Sequence, residues 1–373
     1  MKAINSLLLL TVCFFYACQK DKLVVCENVD FHVKSIQWKL SRDFHLNNRI
    51  KNIQYIRLET SENSLFSNID KLIIRDNRVY ILDITGPKSL LVFDINGKFL
   101  HRTGRQGGGP GEYVKYINFD VLDGYVYLYD NSRRNMLIYN PNGKYVKSIK
   151  SSFSFFDFMI LPDNKFLLAL DIYEKNNKNN RIIITEDLKK AEISLLAFGK
   201  DFNGNKMNVR SFHLYRDKIA YMSPVMDSLF ILSKEGHIER AYYFDFGKHK
   251  VPEDLKNNYE ELSQARKERD YAYIYNTPIL VKNYVFADMF IGNAKGLAVF
   301  DTETGQSTYE LIKPDNFDIK KVNFPLFAMN DSVIVSYIDE NIYGVIKDKV
   351  SFDLETTLHL SEGGVVLCLY EIE

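Results

Sequence analysis

Between residues 102 and 113 the chain gathers side chains that recognise anions and hydroxyl groups. Arg102, Arg105, Glu112 and Tyr113 bracket the run Gly107 to Gly111, which is glycine at every position but Pro110. An arginine fork donates two parallel hydrogen bonds to a carboxylate, and a tyrosine offers a ring with a polar tip. The run has the glycine density of a phosphate loop. It lacks the Lys-Ser/Thr that ends one, and a strand rather than a helix follows, so no helix N-terminus faces an anion. The glycines instead suit a tight chain reversal, which Pro110 stiffens. Arg133 and Arg134, one repeat further on, are expected on the same face. Two readings stand for this set: a polar rim that binds a carboxylate or sugar hydroxyls, or Arg–Glu pairs that fix the loop.

A second group is Tyr271, Tyr273 and Tyr275, whose spacing of two puts three rings on one side of an extended segment. Such a row stacks on sugar rings or a peptide, or docks an insertion onto the body of the fold. Catalysis has thinner support. The seven histidines are dispersed, without metal-ligand spacing, and no G-x-S-x-G elbow occurs. We therefore expect no metal, no cofactor and no assigned catalytic residue. Asp83, Asp130, Glu112 and Arg105 are the residues an enzyme would draw on, although each Asp ends a strand where its carboxylate suits a turn. Lys plus Arg and Asp plus Glu number 48 each with no basic tract, which gives little electrostatic drive toward nucleic acid, and no nucleic-acid partner is expected.

The first residues carry an address. Lys2 precedes a short apolar run, Leu7 to Phe15, too short to span a bilayer and suited to a signal peptide over residues 1–17. Ala17-Cys18 then resembles the lipobox of bacterial lipoproteins, in which the cysteine is lipidated and becomes the first mature residue. Residues 18–50 read as the lipidated Cys18 and a polar tether, and the expected address is the outer membrane, on its periplasmic or surface face. Of the remaining thiols, Cys26 falls in the tether and Cys368 in the last strand, which makes no disulfide framework.

The elements that must position these groups show themselves as a repeat. The segments 89–100 and 136–146 each run apolar strand, Asn-Gly, second strand, and their glycines, Gly97 and Gly143, stand 46 positions apart. Asn-Gly predicts a two-residue type I′ hairpin, and a period of about 40–50 residues is the length of a four-stranded propeller blade. Weaker copies follow over 156–196, 212–244, 278–312 and 325–372. The sixth copy lacks one strand, and 53–58 is a spare strand at the front. The expected fold is therefore all-β: a six-bladed β-propeller over 51–373, closed by an N-terminal strand. Residues 252–269, with Leu255, Tyr259 and Leu262 at helical spacing, predict one amphipathic helix inserted between blades four and five, in an insertion of about 248–276.

Ile56 to Thr60, the Val92 to Phe99 hairpin and above all Thr103 to Tyr113 resemble the six-bladed β-propeller lipoproteins of Gram-negative bacteria, relatives of NHL-repeat propellers. The resemblance spans roughly residues 50–373. Where that family ends in an Asn-Pro-containing strand, this chain has Glu362-Gly-Gly-Val365. The resemblance implies fold and anchor and adds little chemistry. The leading expectation is a membrane-tethered binding module for a glycan, a peptide or an envelope protein. A propeller hydrolase or lyase acting on an envelope or dietary polymer, and an assembly scaffold without a small ligand, are the alternatives.

Overall fold

The computed structural model of the protein describes residues 24–25, 31–38, 49–115, 117–171, 180–197, 210–311 and 326–373. The expected signal segment 1–17, Cys18 and Cys26 lie outside the described residues. Six antiparallel sheets form a six-bladed β-propeller. Blade one is Lys71–Arg75, Arg78–Asp83, Ser89–Asp94 and Phe99–Thr103. Blade two is Ile117–Leu122, Tyr125–Asp130, Asn135–Tyr139 and Tyr145–Lys150. Blade three is Phe155–Ile160, Phe166–Leu170, Asn180–Thr185 and Ile193–Ala197. Blade four is Phe212–Tyr215, Lys218–Tyr221, Ser228–Leu232 and Ile238–Asp245. Blade five begins with Ala272–Ile274 and Ile279–Val281, both against Tyr284–Ile291, and continues through Ala294–Asp301 and Ser307–Leu311. Blade six holds Phe327–Ala328, Val333–Ile338 and Val365–Ile372, and its fourth strand is Ile50–Leu58, paired antiparallel from Val365↔Leu58 to Ile372↔Ile50.

Why these segments form strands follows from where they sit. The first strands meet in ring order, the sixth returning to the first. Each blade is covered by a neighbour on both faces, and one apolar cluster fills each of the six spaces between adjacent blades. Middle strands therefore read as unbroken apolar runs rather than alternating ones. Leu90 to Phe93 is buried throughout, while the outer strand Tyr145–Lys150 is largely exposed. Burying a side chain such as Phe93 contributes about 2–3 kcal/mol.

The Asn-Gly loops differ from expectation. Gly97 and Gly143 have positive φ, +89° and +72°, but Asn96 and Asn142 do not, so neither loop is type I′. Each is a three-residue loop closed by an i to i+3 bond, Gly97 N–H to Asp94 O and Gly143 N–H to Asn140 O, with a bulge in the following pairing. The reason lies one turn earlier. The Asp94 carboxylate accepts from Asn96 N and Lys98 N, and the Asn140 side chain does the same for Asn142 and Lys144. Pro141 also excludes positive φ at its own position. These turns dock on the preceding blade. A Cβ at Gly97 would stand 1.9 Å from Arg57 O, and one at Gly143 2.6 Å from His101 Nδ1.

Two further differences concern the ends and the insertions. Residues expected as tether include His32–Gln37, which pairs in parallel with Ile238–Asp245 on the outer edge of blade four, and Val24–Val25 pairs with blade three. Ile36 is buried, and Trp38 packs on Phe246, Phe300 and Tyr309 at 5.6–6.2 Å. An edge strand that would otherwise offer unpaired N–H and C=O groups is thereby covered. The single helix expected over 252–269 is two, α1 (Glu253–Lys256) and α2 (Tyr259–Ala265). Asn258 breaks them: it is extended, with φ −135°, and its side chain accepts from Glu261 N as an N-cap. Between Val333–Ile338 and Val365–Ile372 lie α3 (Glu340–Ile346) and α4 (Leu354–Ser361), capped by Asp339 and Asp353.

Strand direction separates the connections. Turns from first to second and from third to fourth strands fall on one face, and all have two to seven residues. The opposite face carries the longer connections, including the Gly-rich loop, α1–α2 and α3–α4.

Candidate functional site: the polar belt of the central channel

The first strand of each blade lines a central channel of about 200 Å3. Because these strands run the same way, their N-terminal residues share one mouth, on the face of the longer connections. Lys71 opens blade one there and is buried. Its Nζ donates to Asn118 Oδ1 of blade two at 3.0 Å and to Asp157 Oδ1 of blade three at 2.7 Å. The other oxygen of Asp157 accepts from Ser211 N and Phe212 N of blade four at 2.6 and 3.1 Å. Asn118 Nδ2 donates to Asp157 Oδ1 as well, at 3.1 Å. The rings of Phe119 and Phe158 flank the ammonium at 5.7 and 5.9 Å. One buried lysine and one buried carboxylate thus join four blades.

The belt continues around the ring. His213 Nε2 accepts from Leu280 N of blade five at 3.0 Å. A backbone N–H can only donate, so the proton of the neutral imidazole sits on Nδ1. His213 lines the channel, and burial holds its pKa down to about 4. Arg210 donates to Leu326 O of blade six at 2.6 Å and lies over Phe327 at 4.6 Å. Burial lowers its pKa from the ordinary value. At the far mouth, Arg75 stands 3.6 Å from Asp120 Oδ1 and also donates to Val121 O. Asp120 Oδ2 accepts from Ile160 N at 2.7 Å. Burial of Asp120 outweighs the Arg75 and Lys71 charges and raises its pKa. The lining therefore holds three cations, Lys71, Arg75 and Arg210, against the single carboxylate of Asp120, with Asp157 behind Lys71.

The residues singled out around the Gly-rich loop divide. Arg105 is exposed, and its Nε binds Glu112 Oε1 at 2.6 Å. Glu112 Oε2 accepts from Gly109 N at 2.7 Å, and this N–H, then Arg105, lowers the Glu112 pKa. The loop amide that an anion would meet is thus already served by the chain's own carboxylate. Arg133 reaches this loop, its Nη2 standing 3.7 Å from where a Cβ of Gly108 would lie. Arg134 takes a positive φ and donates to Ser152 O at 3.3 Å. Arg102 faces inward, clamping Asn63 O, Leu65 O and Ser89 Oγ at 2.8–3.0 Å. Tyr113 is buried with its hydroxyl on Lys88 O, and burial pushes its pKa up to about 12.

Asp83 and Asp130 hold turns. Asp83 accepts from Ser67, Thr85 and Gly86 N–H groups, and Asp130 from Val114 and Arg133 N–H groups. Each carboxylate ties its own loop to the connection 16 residues before it, so the two are repeat equivalents. Tyr271 and Tyr273 are buried, Tyr273 stacked on Phe290 at 5.6 Å, in the cluster that seats Leu262 of α2. Tyr275 meets Tyr259 of α2 and Phe290. The three rings dock the helical pair. Cys368 is a buried free thiol, and burial raises its pKa to about 12. Among the described residues no group of three His, Cys, Asp or Glu side chains is placed to hold a metal ion, and no helix is long and apolar enough to cross a membrane.

The belt escaped sequence reasoning because its members, Lys71, Asn118, Asp157, Arg210 and His213, come from four repeats. The available signal was a charged or polar residue early in an otherwise apolar first strand, as in Lys71-Leu-Ile-Ile and Asn118-Phe-Asp.

Fold and channel define a six-bladed β-propeller with a polar central channel. The chain belongs to the family described as a domain of unknown function, DUF4934, whose pattern matches residues 28–357. Among solved structures it is similar to a Bacteroides fragilis protein named for its expected export, at 18% identity and TM-score 0.75, over 91% of this chain and 100% of that one. It is also similar to a DUF4221 family member from Bacteroides vulgatus, at 14% identity and TM-score 0.51, over 87% and 97% of the two chains. No curated protein matches the sequence significantly.

Proposed function

We propose that this protein is an exported binding module, held at the outer membrane by lipid on Cys18, that takes a small carboxylate-bearing ligand into its central channel. The observation that carries the ligand reading is the set of cations in the lining: Lys71, paired with Asp157, Arg75, beside Asp120, and Arg210. His213 adds a neutral N–H donor at Nδ1, and Phe158, Leu326 and Phe327 add apolar wall. A small acid with an apolar body matches that set. The ligand enters from the face of the longer connections, where Arg105, Arg133 and Arg134 form the outer rim. Binding is favoured over hydrolysis because the channel carboxylates already have partners: Asp157 is held by Lys71 and two backbone N–H groups, and Asp120 by Arg75 and Ile160 N.

Export and anchoring rest on the signal-like residues 1–17, the lipobox resemblance at Cys18 and the relative named for export. In the same reading Ile50–Leu58 closes the ring, supported by its ladder with Val365–Ile372 and by the blade-one turn seated on Arg57. The α1–α2 pair is an insertion between blades four and five. Thermal unfolding of the full chain with a set of small carboxylic acids tests the ligand reading. An acid at a hundred times its Kd adds about 2.7 kcal/mol, and Arg210→Met should abolish the shift. No shift from any acid, or the same shift in the variant, contradicts it.

A further inference from the structure

A second cavity, of about 460 Å3, shares no lining residue with the channel. It lies where the 222–227 connection of blade four, α1 and the end of blade three's outer strand come together. Met226, Phe230 and Leu196 supply apolar wall, and Asp227, Lys250 and Lys256 supply charge. Asp227 is buried, 7% exposed. Its Oδ2 contacts Lys256 Nζ directly and stands 3.7 Å from Lys250 Nζ. Its Oδ1 is buried with no hydrogen-bond partner. An acceptor left unmet in such a place is costly, and a ligand donor removes that cost.

The neighbouring charges narrow the class. Arg181, Lys250 and Lys256 line the cavity against Asp227 and Glu253, so an ammonium ligand is repelled by three cations. A carboxylate beside Asp227 Oδ1 would set two acceptors against each other. Lys250 is part-exposed: it donates to Tyr243 OH at 3.1 Å and has a further N–H to offer. A group that donates to the carboxylate while its neighbour accepts from the lysine, with no net charge, is a vicinal diol. We propose that this cavity is a saccharide subsite: one hydroxyl of a neutral sugar donates to Asp227 Oδ1, the adjacent hydroxyl accepts from Lys250, and the apolar face of the ring lies on Phe230 and Met226. The subsite is independent of the channel and of what the channel takes.

Saturation-transfer NMR of the full chain with glucose, galactose, mannose and N-acetylglucosamine tests this. At least one sugar should receive transfer. Asp227→Asn should abolish it. Lys250→Met, which leaves the Asp227–Lys256 pair intact, should weaken binding about tenfold, the loss of one charge-assisted bond. Arg210→Met, in the channel, should leave the signal unchanged. Absence of transfer from every one of these sugars overturns the proposal. So does transfer that both cavity variants preserve, or that the channel variant removes. If Asp227→Asn does not fold, Lys250→Met decides alone.

Discussion

Lys71 shows how much of this ring depends on single charged groups. It is the cation paired with the buried Asp157 carboxylate where the first strands of blades one to four meet. Lys71→Met leaves that carboxylate without its cation and should cost about 3–5 kcal/mol in chemical denaturation. A loss below about 1 kcal/mol, the scale of a surface pair, would show that the belt contributes little. His213 gives the belt a pH dependence. Its folded pKa, about 4, lies below the ordinary value, so the folded state binds fewer protons than the unfolded one. Its contribution is complete above about pH 6.5 and is lost as pH falls through the folded value. His213→Gln keeps an acceptor for Leu280 N without titrating. The stability difference between the two proteins should therefore narrow by about 2–3 kcal/mol between pH 6.5 and 4. Parallel pH curves would show that the imidazole is not held neutral.

At the scale of elements, the turn glycines separate backbone conformation from packing. Gly97 and Gly305 both have positive φ, but a Cβ at Gly97 meets Arg57 O whereas one at Gly305 meets nothing within 4 Å. Gly305→Ala should cost about 1 kcal/mol, the strain of a left-handed alanine. Gly97→Ala should cost clearly more, because the turn must lift off the neighbouring blade. Equal losses in thermal unfolding would argue that this inter-blade contact contributes nothing. The strands of blades one and two were legible because Asn-Gly, a terminal Asp and apolar runs recur at a fixed spacing. The turn type was not. It is decided by Asp94 and Asn140, two positions before each Asn-Gly, and by Pro141 between. The break between α1 and α2 was likewise masked by the helical spacing of Leu255, Tyr259 and Leu262, although Asn258 is the N-cap that makes it. The strand His32–Gln37 carries few buried side chains, and its pairing comes from the exposed edge of blade four, which no local pattern announces.

For the whole molecule, six inter-blade clusters and one polar belt make the channel a product of every blade at once. This is why the fold could be read from the repeat while the site could not. A repeat is visible along the chain, but residues that converge from four blades have no common spacing. The rim expected at the Gly-rich loop was legible as residue types. Glu112 turns inward on Gly109 and Arg102 clamps backbone carbonyls, roles that depend on loop geometry. The asymmetry of the two faces, short turns opposite the long connections, gives the channel one elaborated mouth. The most direct test of the central claim is a crystal soaked with a brominated form of an acid that stabilises the protein, read by anomalous scattering. The account predicts a bromine peak inside the channel with the carboxylate against Arg210 or Arg75. A peak elsewhere on the molecule, with the channel unchanged, would contradict it.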